Sequence, residues 1–196
     1  MTITIKRAEG TVQFCTDLAL RADWEEARDA LNATRSTPSD RLVDVDRVNA
    51  AKAVQELEER MAEATLVFRL RAVRRKQWQE TIAAHPPRED NAADEGMGAD
   101  VSKLFDALLG QSPDPANGLE STIIAVTDQA TGEPVDFDPG TEWAALADEM
   151  TDAQYSEFAQ KVFELNRGVV ARPTSRAASV VMSGSAGNSK QQSASE

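Results

Sequence analysis

The chain is poor in the residues on which most enzymes and extracellular domains depend. Its 196 residues include one cysteine, one histidine and an aromatic share of 5%. A lone cysteine, Cys15, excludes an internal disulfide, and we expect it to pack as a small buried hydrophobic residue. The lone His85 lacks the second histidine or cysteine at short spacing that a zinc site needs, so we expect it to end a helix. No oxyanion-hole motif accompanies a Cys15–His85 pair. The sequence therefore predicts a non-catalytic protein without cofactors.

Positive charge and long apolar runs are equally scarce. Lys and Arg number 21 against 33 Asp and Glu, which gives a formal charge of −12. Nucleic-acid binding relies on cations that neutralise phosphates, and anionic membranes attract basic segments, so we expect neither partner. No run approaches the ~20 apolar residues of a membrane span. No apolar stretch follows Lys6-Arg7 as it would in a signal peptide. We expect a cytosolic protein that binds other proteins.

Hydrophobic periodicity predicts a mainly α fold (α+β), a helical bundle with a small β element. Thr11–Cys15 and Leu66–Arg71 alternate with period two, so we expect two strands that pair. Helices are predicted over about 17–33, 45–64, 74–84 and 101–109, followed by a helix pair that starts at 141 and 151 and ends at 166–168. Four regions are predicted. They are an N-terminal strand and helix region at 1–87, an acidic and solvated linker loop at 88–100, a helical region at 101–170, and a disordered Ser-rich tail at 171–196.

Two interpretations stay open for the second helix and for residues 119–137. Val54, Leu57, Met61 and Ala64 recur at spacings of three and four, as in a helix seam. That seam packs either on the first helix as an antiparallel pair or on another molecule. The first helix offers a face made of Leu18, Ala22, Ala27, Ala30 and Leu31. Residues 121–126 and 134–137 flank Thr131-Gly132 as in a hairpin, with a helix over 119–126 as the alternative.

Local signals set the ends of the later helices. Pro86 disfavours helical geometry at the residue before it, so the third predicted helix ends near His85. We expect Thr141 to cap one helix and Thr151, with Gln154 in a capping box, to start the next. Residues 136–140 resemble a calcium loop but lack the other ligands and the closing glutamate, so a capping turn is favoured.

Two groups of residues are candidates for contact with a partner. Arg69, Arg71, Arg74 and Arg75, with Lys76, are the one basic concentration in the chain. They form either a solvated strand edge paired with the acidic loop or a docking patch for an acidic partner or a neighbouring copy. The aromatic candidates have helical spacing, which favours a core position, and any of them left exposed would anchor a hydrophobic partner. They are Trp78, Trp143, Tyr155, Phe158 and Phe163.

The order of several short motifs resembles one family. Phe68-Arg69-Leu70-Arg71-Ala72 leads through Arg74-Arg75-Lys76-Gln77-Trp78 to Ile82-Ala83-Ala84-His85-Pro86-Pro87-Arg88. After the acidic segment come Trp143-Ala144-Ala145-Leu146-Ala147-Asp148, Met150-Thr151-Asp152-Ala153-Gln154-Tyr155 and Glu164-Leu165-Asn166-Arg167-Gly168, and then Pro173, Ser175 and Ser179. Over about residues 11–180, the chain resembles the tail assembly chaperones of long-tailed (siphovirus-type) bacteriophages that infect actinobacteria.

The resemblance implies a function, a partner and a location. Members of this family bind the tape measure protein in the cytoplasm of the infected host while the tail tube forms, and they are absent from the mature virion. Many are made in two lengths by ribosomal frameshifting, and the longer form recruits tail tube subunits. The family has no catalytic residues. The alternative is a structural tail or connector component that is retained in the virion, and self-association is compatible with either.

Overall fold

The computed structural model describes residues 5–36 and 45–168, which form seven helices and one four-stranded antiparallel sheet. The prediction of a mainly helical protein with a small β element is confirmed. The predicted disordered tail, 171–196, lies outside the described residues. The elements are β1 (Glu9–Cys15), α1 (Leu18–Ser36), α2 (Val45–Glu63), β2 (Thr65–Arg71), α3 (Arg75–Ala84), α4 (Ala92–Met97), α5 (Val101–Leu109), β3 (Ile123–Asp128), β4 (Pro134–Val135), α6 (Pro139–Glu149) and α7 (Asp152–Arg167).

The sheet has the strand order β1-β2-β3-β4, and β1 pairs with β2 as predicted, with Val12 opposite Phe68. The period-two pattern turns Leu66, Phe68 and Leu70 to the covered face of the sheet. The expectation that β2 forms a strand edge is wrong, because β3 pairs along its other side. The predicted hairpin is also confirmed as β3 and β4, and the helical alternative for residues 119–126 is excluded.

One core joins the sheet to the helices that follow it. Phe68 is fully buried at the centre of β2, and its ring contacts Phe14, Phe137 and Phe158 edge-on at centroid distances of 5.1–6.2 Å. Helices α3, α5, α6 and α7 add apolar side chains to the same cluster. Residues from the predicted N-terminal region, 1–87, and from the predicted C-terminal region, 101–170, therefore share one core.

Helices α1 and α2 pack on each other as an antiparallel pair, which confirms the first of the two interpretations of the seam. We call this pair the α1–α2 arm. The face that α1 buries differs from the predicted one, since Leu18, Ala22 and Ala30 are exposed. The residues turned towards α2 or the sheet instead are Leu20, which is buried, and Trp24, Ala27 and Leu31, which are half-buried. The core cluster contains no residue of the arm.

The prediction of a solvated acidic loop at residues 88–100 is wrong. This segment contains helix α4, which is capped by the Asn91 side chain and ends at Gly98 with a positive φ of 77°. Asp94 is fully buried, and its carboxylate accepts hydrogen bonds from the Arg88 guanidinium at 2.6 and 2.9 Å. Asp100 is buried as well and caps α5. Pairing with Arg88 and with backbone N–H groups makes the burial of these carboxylates tolerable.

Of the local signals for helix ends, two are correct, and the predicted cap of α6 is wrong. Helix α3 ends before His85, whose N–H donates to the Ile82 carbonyl. The capping box of Thr151 and Gln154 is present at the start of α7. The cap of α6 is Asp138, followed by Pro139 at the first helical position, and not Thr141. Thr141 instead donates its hydroxyl to Asp138, so residues 136–140 form the expected capping turn.

Candidate partner-binding surface

The aromatic candidates belong to the core, except for Phe163, which is 37% exposed on α7. Trp78, Trp143 and Phe158 are buried, and the Trp143 ring lies 5.3 Å from that of Phe158. Each lies on the side of its helix that faces the core, where apolar side chains of the sheet and of neighbouring helices cover it. As buried residues, the three are not available as anchors for a partner.

Tyr155 is half-buried and is fixed in place by α5. Its hydroxyl donates to Asp106 at 3.0 Å, and the Trp143 indole N–H donates to the same carboxylate at 3.2 Å. Burial, followed by the negative charge of Asp106, raises the pKa of Tyr155 far above its usual value. The phenol is therefore neutral throughout the physiological pH range, and its hydrogen bond to Asp106 links α7 to α5.

The predicted basic concentration is on the surface. Arg69 and Arg71 alternate along β2 on the face of the sheet opposite the core. Glu9 on β1 lies beside both arginines, with its carboxylate 2.7 Å from Arg71 Nη2 and 3.5 Å from Arg69 Nε. Arg75 is exposed at the first position of α3. The acidic group paired with the two strand arginines is therefore Glu9 of β1. The sequence had suggested pairing with the acidic segment at 88–100 instead.

A second carboxylate, Glu120, lies beside two further arginines. Arg74 Nη2 lies 2.8 Å from Glu120, and Arg7 forms an ion pair with the same carboxylate. Buried Gln77 fixes the backbone of Glu120, because its amide donates to the Glu120 carbonyl at 2.8 Å and accepts from the Glu120 N–H. We call Arg7, Arg69, Arg71 and Arg74, with Glu9 and Glu120, the arginine cluster.

The arginine cluster carries more positive than negative charge, since it holds four guanidinium groups and two carboxylates. Burial lowers the pKa of Arg7, and the positive charges of Arg71 and Arg74 lower it further. A cleft of about 760 Å³ opens beside the cluster, and Asp136 and Asp138 also line it. The lining of the cleft therefore holds both basic and acidic side chains, which suits a charged polypeptide surface better than a simple anion.

The α1–α2 arm provides a different kind of surface. Leu18, Val45 and Val48 are 41%, 56% and 43% exposed, although all three are large apolar side chains in helices. At the base of the arm, a cleft of about 490 Å³ is lined by apolar groups that include Leu18, Trp24 and Met61. Exposed apolar side chains at helical spacing can pack against a helix of another protein.

Sequence reasoning missed several of these residues. Arg7 and Glu120 are far from β2 in the sequence, and no local pattern indicates that they meet Arg74. Glu9 could have been inferred, because extending the predicted β1–β2 pair by two residues places it opposite Arg71. Exposure of Val45 and Val48 could have been inferred too, because neither residue belongs to the seam formed by Val54, Leu57 and Met61.

Cys15 and His85 both lie at the ends of elements, Cys15 as the last residue of β1 and His85 as the residue after α3. Cys15 is half-buried, not buried as expected, and its thiol donates to the Asp17 carbonyl at 3.3 Å. His85 is half-buried at the end of α3. Across residues 5–36 and 45–168, no group of three or more His, Cys, Asp or Glu side chains is arranged to hold a metal ion. Nor is any helix in these ranges long and apolar enough to cross a bilayer.

Comparison of the chain with protein-family models, with curated proteins and with solved structures gives no match.

Proposed function

We propose that this protein is a phage tail assembly chaperone that binds the tape measure protein while the tail tube forms. The observation that carries the proposal is the α1–α2 arm, an antiparallel helix pair outside the core with large apolar side chains exposed. Each arm helix has 19 residues and is ~28 Å long, which is long enough to run beside several turns of a partner helix.

The chemistry of the arm suits reversible binding to a long helical partner. A tape measure protein has apolar helical faces that no tube covers during assembly, and such faces promote aggregation. The arm offers isolated apolar residues between charged ones, so each copy gains modest affinity. Many copies along one chain would cover it fully, while each copy stays easy to displace as tube subunits arrive.

The charge distribution supports the same function. A formal charge of −12 keeps many copies soluble and apart from one another when they are crowded on one partner. The arginine cluster is the exception, and it can contact acidic side chains that alternate with apolar ones on a helical partner. Rim charges of this kind act mainly on association rate and orientation.

Binding by the arm can be tested with single substitutions. We expect Val48→Glu to weaken co-purification with the tape measure protein by about tenfold, because it puts an unpaired charge in an apolar contact. Ala53→Glu is the matched control, since it adds the same charge at an exposed position on a different side of α2. Equal binding by the two variants would remove the arm from the proposal.

The assignment as a chaperone can be tested on particles. Mass spectrometry of purified virions should find the tape measure protein and not this chain. Stoichiometric amounts of the chain in virions would instead identify a structural tail or connector component.

A further inference from the structure

Strand β1 lies at one edge of the described sheet. Its backbone N–H and C=O groups point alternately towards β2 and away from the sheet. Backbone hydrogen bonds join Ala72 to Ala8 at 2.9 Å and Thr16 to Ala64 at 2.8 Å at the two ends of the β1–β2 pair. Bonded and non-bonded pairs alternate in an antiparallel ladder. The even-numbered residues of β1 therefore bond to β2, and the odd-numbered residues turn their N–H and C=O groups away from the sheet.

Within the described residues, the outward groups are largely unpaired. The Cys15 carbonyl accepts a hydrogen bond from Gln154 Nε2 at 2.9 Å, which agrees with the outward direction of odd-numbered residues. Glu9, Thr11 and Gln13 present one N–H and one C=O each, and no hydrogen bond joins these groups to any described residue. Of the features that usually protect an edge strand, β1 has no proline, no lysine and no bulge.

A groove of about 450 Å³ runs beside this edge, with α7 as its other wall. The charged residues in it are Glu157, Lys161 and Glu164. Lys161 Nζ lies 2.9 Å from Glu164, and that hydrogen bond lowers the pKa of the Glu164 carboxyl, which keeps it ionised. Since Lys161 offsets one of the two glutamates, the groove keeps a net negative charge.

We propose that β1 binds an extended, lysine- or arginine-bearing segment of a partner protein as an additional strand. The segment pairs its backbone with Glu9, Thr11 and Gln13, and it turns a basic side chain towards Glu157. Main-chain hydrogen bonds give affinity in this mode of recognition, and side-chain positions in the groove give specificity. The site is separate from the α1–α2 arm and does not depend on the proposed chaperone function.

A second copy of the chain is a poorer occupant of the same edge. Pairing of two β1 strands would bring two α7 helices together, each with Glu157 and Glu164 near the shared edge. Like charges at short distance across an interface oppose binding. A basic segment removes that conflict.

The test uses a synthetic peptide of alternating lysine and valine, seven residues long, with the full chain labelled for NMR. We expect the amides of Thr11 and Gln13 to exchange at least about tenfold more slowly with the peptide bound, because each gains a backbone acceptor. A glutamate–valine peptide of the same length should leave both amides unchanged. Equal protection by the two peptides would contradict the proposed charge preference.

Variants at Thr11 supply the decisive comparison. Thr11→Pro removes an outward N–H and no bond to β2, so the fold should persist while the peptide binds about tenfold more weakly or not at all. Thr11→Ala keeps the N–H and should bind like the unchanged protein. Equal affinity of the two variants, with matching melting temperatures, overturns the proposal.

Protection of Thr11 and Gln13 before any peptide is added would also overturn it. Sedimentation analysis would then identify a second copy as the occupant if the mass is twice the 21.3 kDa of one chain. If a chain shortened to end at Gly168 loses the protection of the Thr11 and Gln13 amides, the occupant is residues 169–196.

Discussion

At the scale of single residues, Asp94 is a fully buried carboxylate that accepts four hydrogen bonds. Its buried carboxylate accepts from the Arg88 guanidinium and also from the backbone N–H groups of Arg88 and Val101 at 3.1 and 3.2 Å. The hydrogen bond from Arg88 holds the pKa of Asp94 well below its usual range, although burial acts in the opposite direction. The carboxylate thereby joins the start of the acidic segment to the start of α5.

We predict that Asp94→Asn lowers the melting temperature at pH 7 by on the order of 10 °C, because it leaves Arg88 without its charged acceptor. A depressed folded-state pKa contributes stability above the unfolded pKa of about 4, and this is lost as pH falls towards the folded value. Calorimetry from pH 7 to pH 2.5 should therefore show the variant and the unchanged protein converging below pH 4.

The matched control for this prediction is Asp90→Asn. Asp90 is exposed and has a positive φ of 58°, a conformation that asparagine also tolerates, so the same loss of charge should have little effect. Equal losses of stability from the two substitutions would mean that the buried ion pair is not what stabilises the segment.

At the scale of elements, the α1–α2 arm should open independently of the core. Its helices pack mainly on each other, with Val54 buried in their seam. Val54→Ala should cost about 1–2 kcal/mol and speed amide exchange in α1 and α2, with no change in β2. Hydrogen–deuterium exchange measured by mass spectrometry resolves these peptides. A uniform increase across the chain would show instead that the arm and core unfold as one unit.

Elements were predictable from sequence where a local pattern was sufficient. The alternation of residues 66–71, the Thr151–Gln154 capping box and the proline after His85 each act within a few residues, and the structure confirms all three. Helix α4 was missed because it is six residues long and rich in acid, so that no apolar stripe marks it. The burial of Asp94 in this helix depends on Arg88, whose role a local pattern does not reveal.

The packing faces of elements were harder to predict, because more than one stripe has helical spacing. In α1, Leu18, Ala22 and Ala30 form one stripe, while Leu20, Trp24, Ala27 and Leu31 form another. The second stripe is the one that packs inward, because it holds the larger side chains. Trp24 also donates a hydrogen bond to Glu58 on α2 at 3.2 Å. The position of β2 inside the sheet was likewise hidden, since it depends on pairing with β3, more than 50 residues away.

At the scale of the whole molecule, the core and the arm are joined in a way that allows their separation. The arm connects two neighbouring antiparallel strands, and the Thr16 N–H donates to the Ala64 carbonyl where the chain leaves and re-enters the sheet. Thr16 and Ala64 therefore occupy a hydrogen-bonded pair position, which is the geometry that a two-residue hairpin turn closes.

We predict that replacing residues 17–63 with Asn-Gly leaves a folded core, because the core cluster includes none of the described residues in this range, 17–36 and 45–63. The shortened chain should keep a cooperative melting transition and the near-ultraviolet signal of Trp78 and Trp143. It should lose binding to the tape measure protein, since the proposed contact surface is gone, while the peptide-binding edge of β1 should be retained. Retained binding to the tape measure protein would place that contact on the core, with the arginine cluster as the next surface to alter.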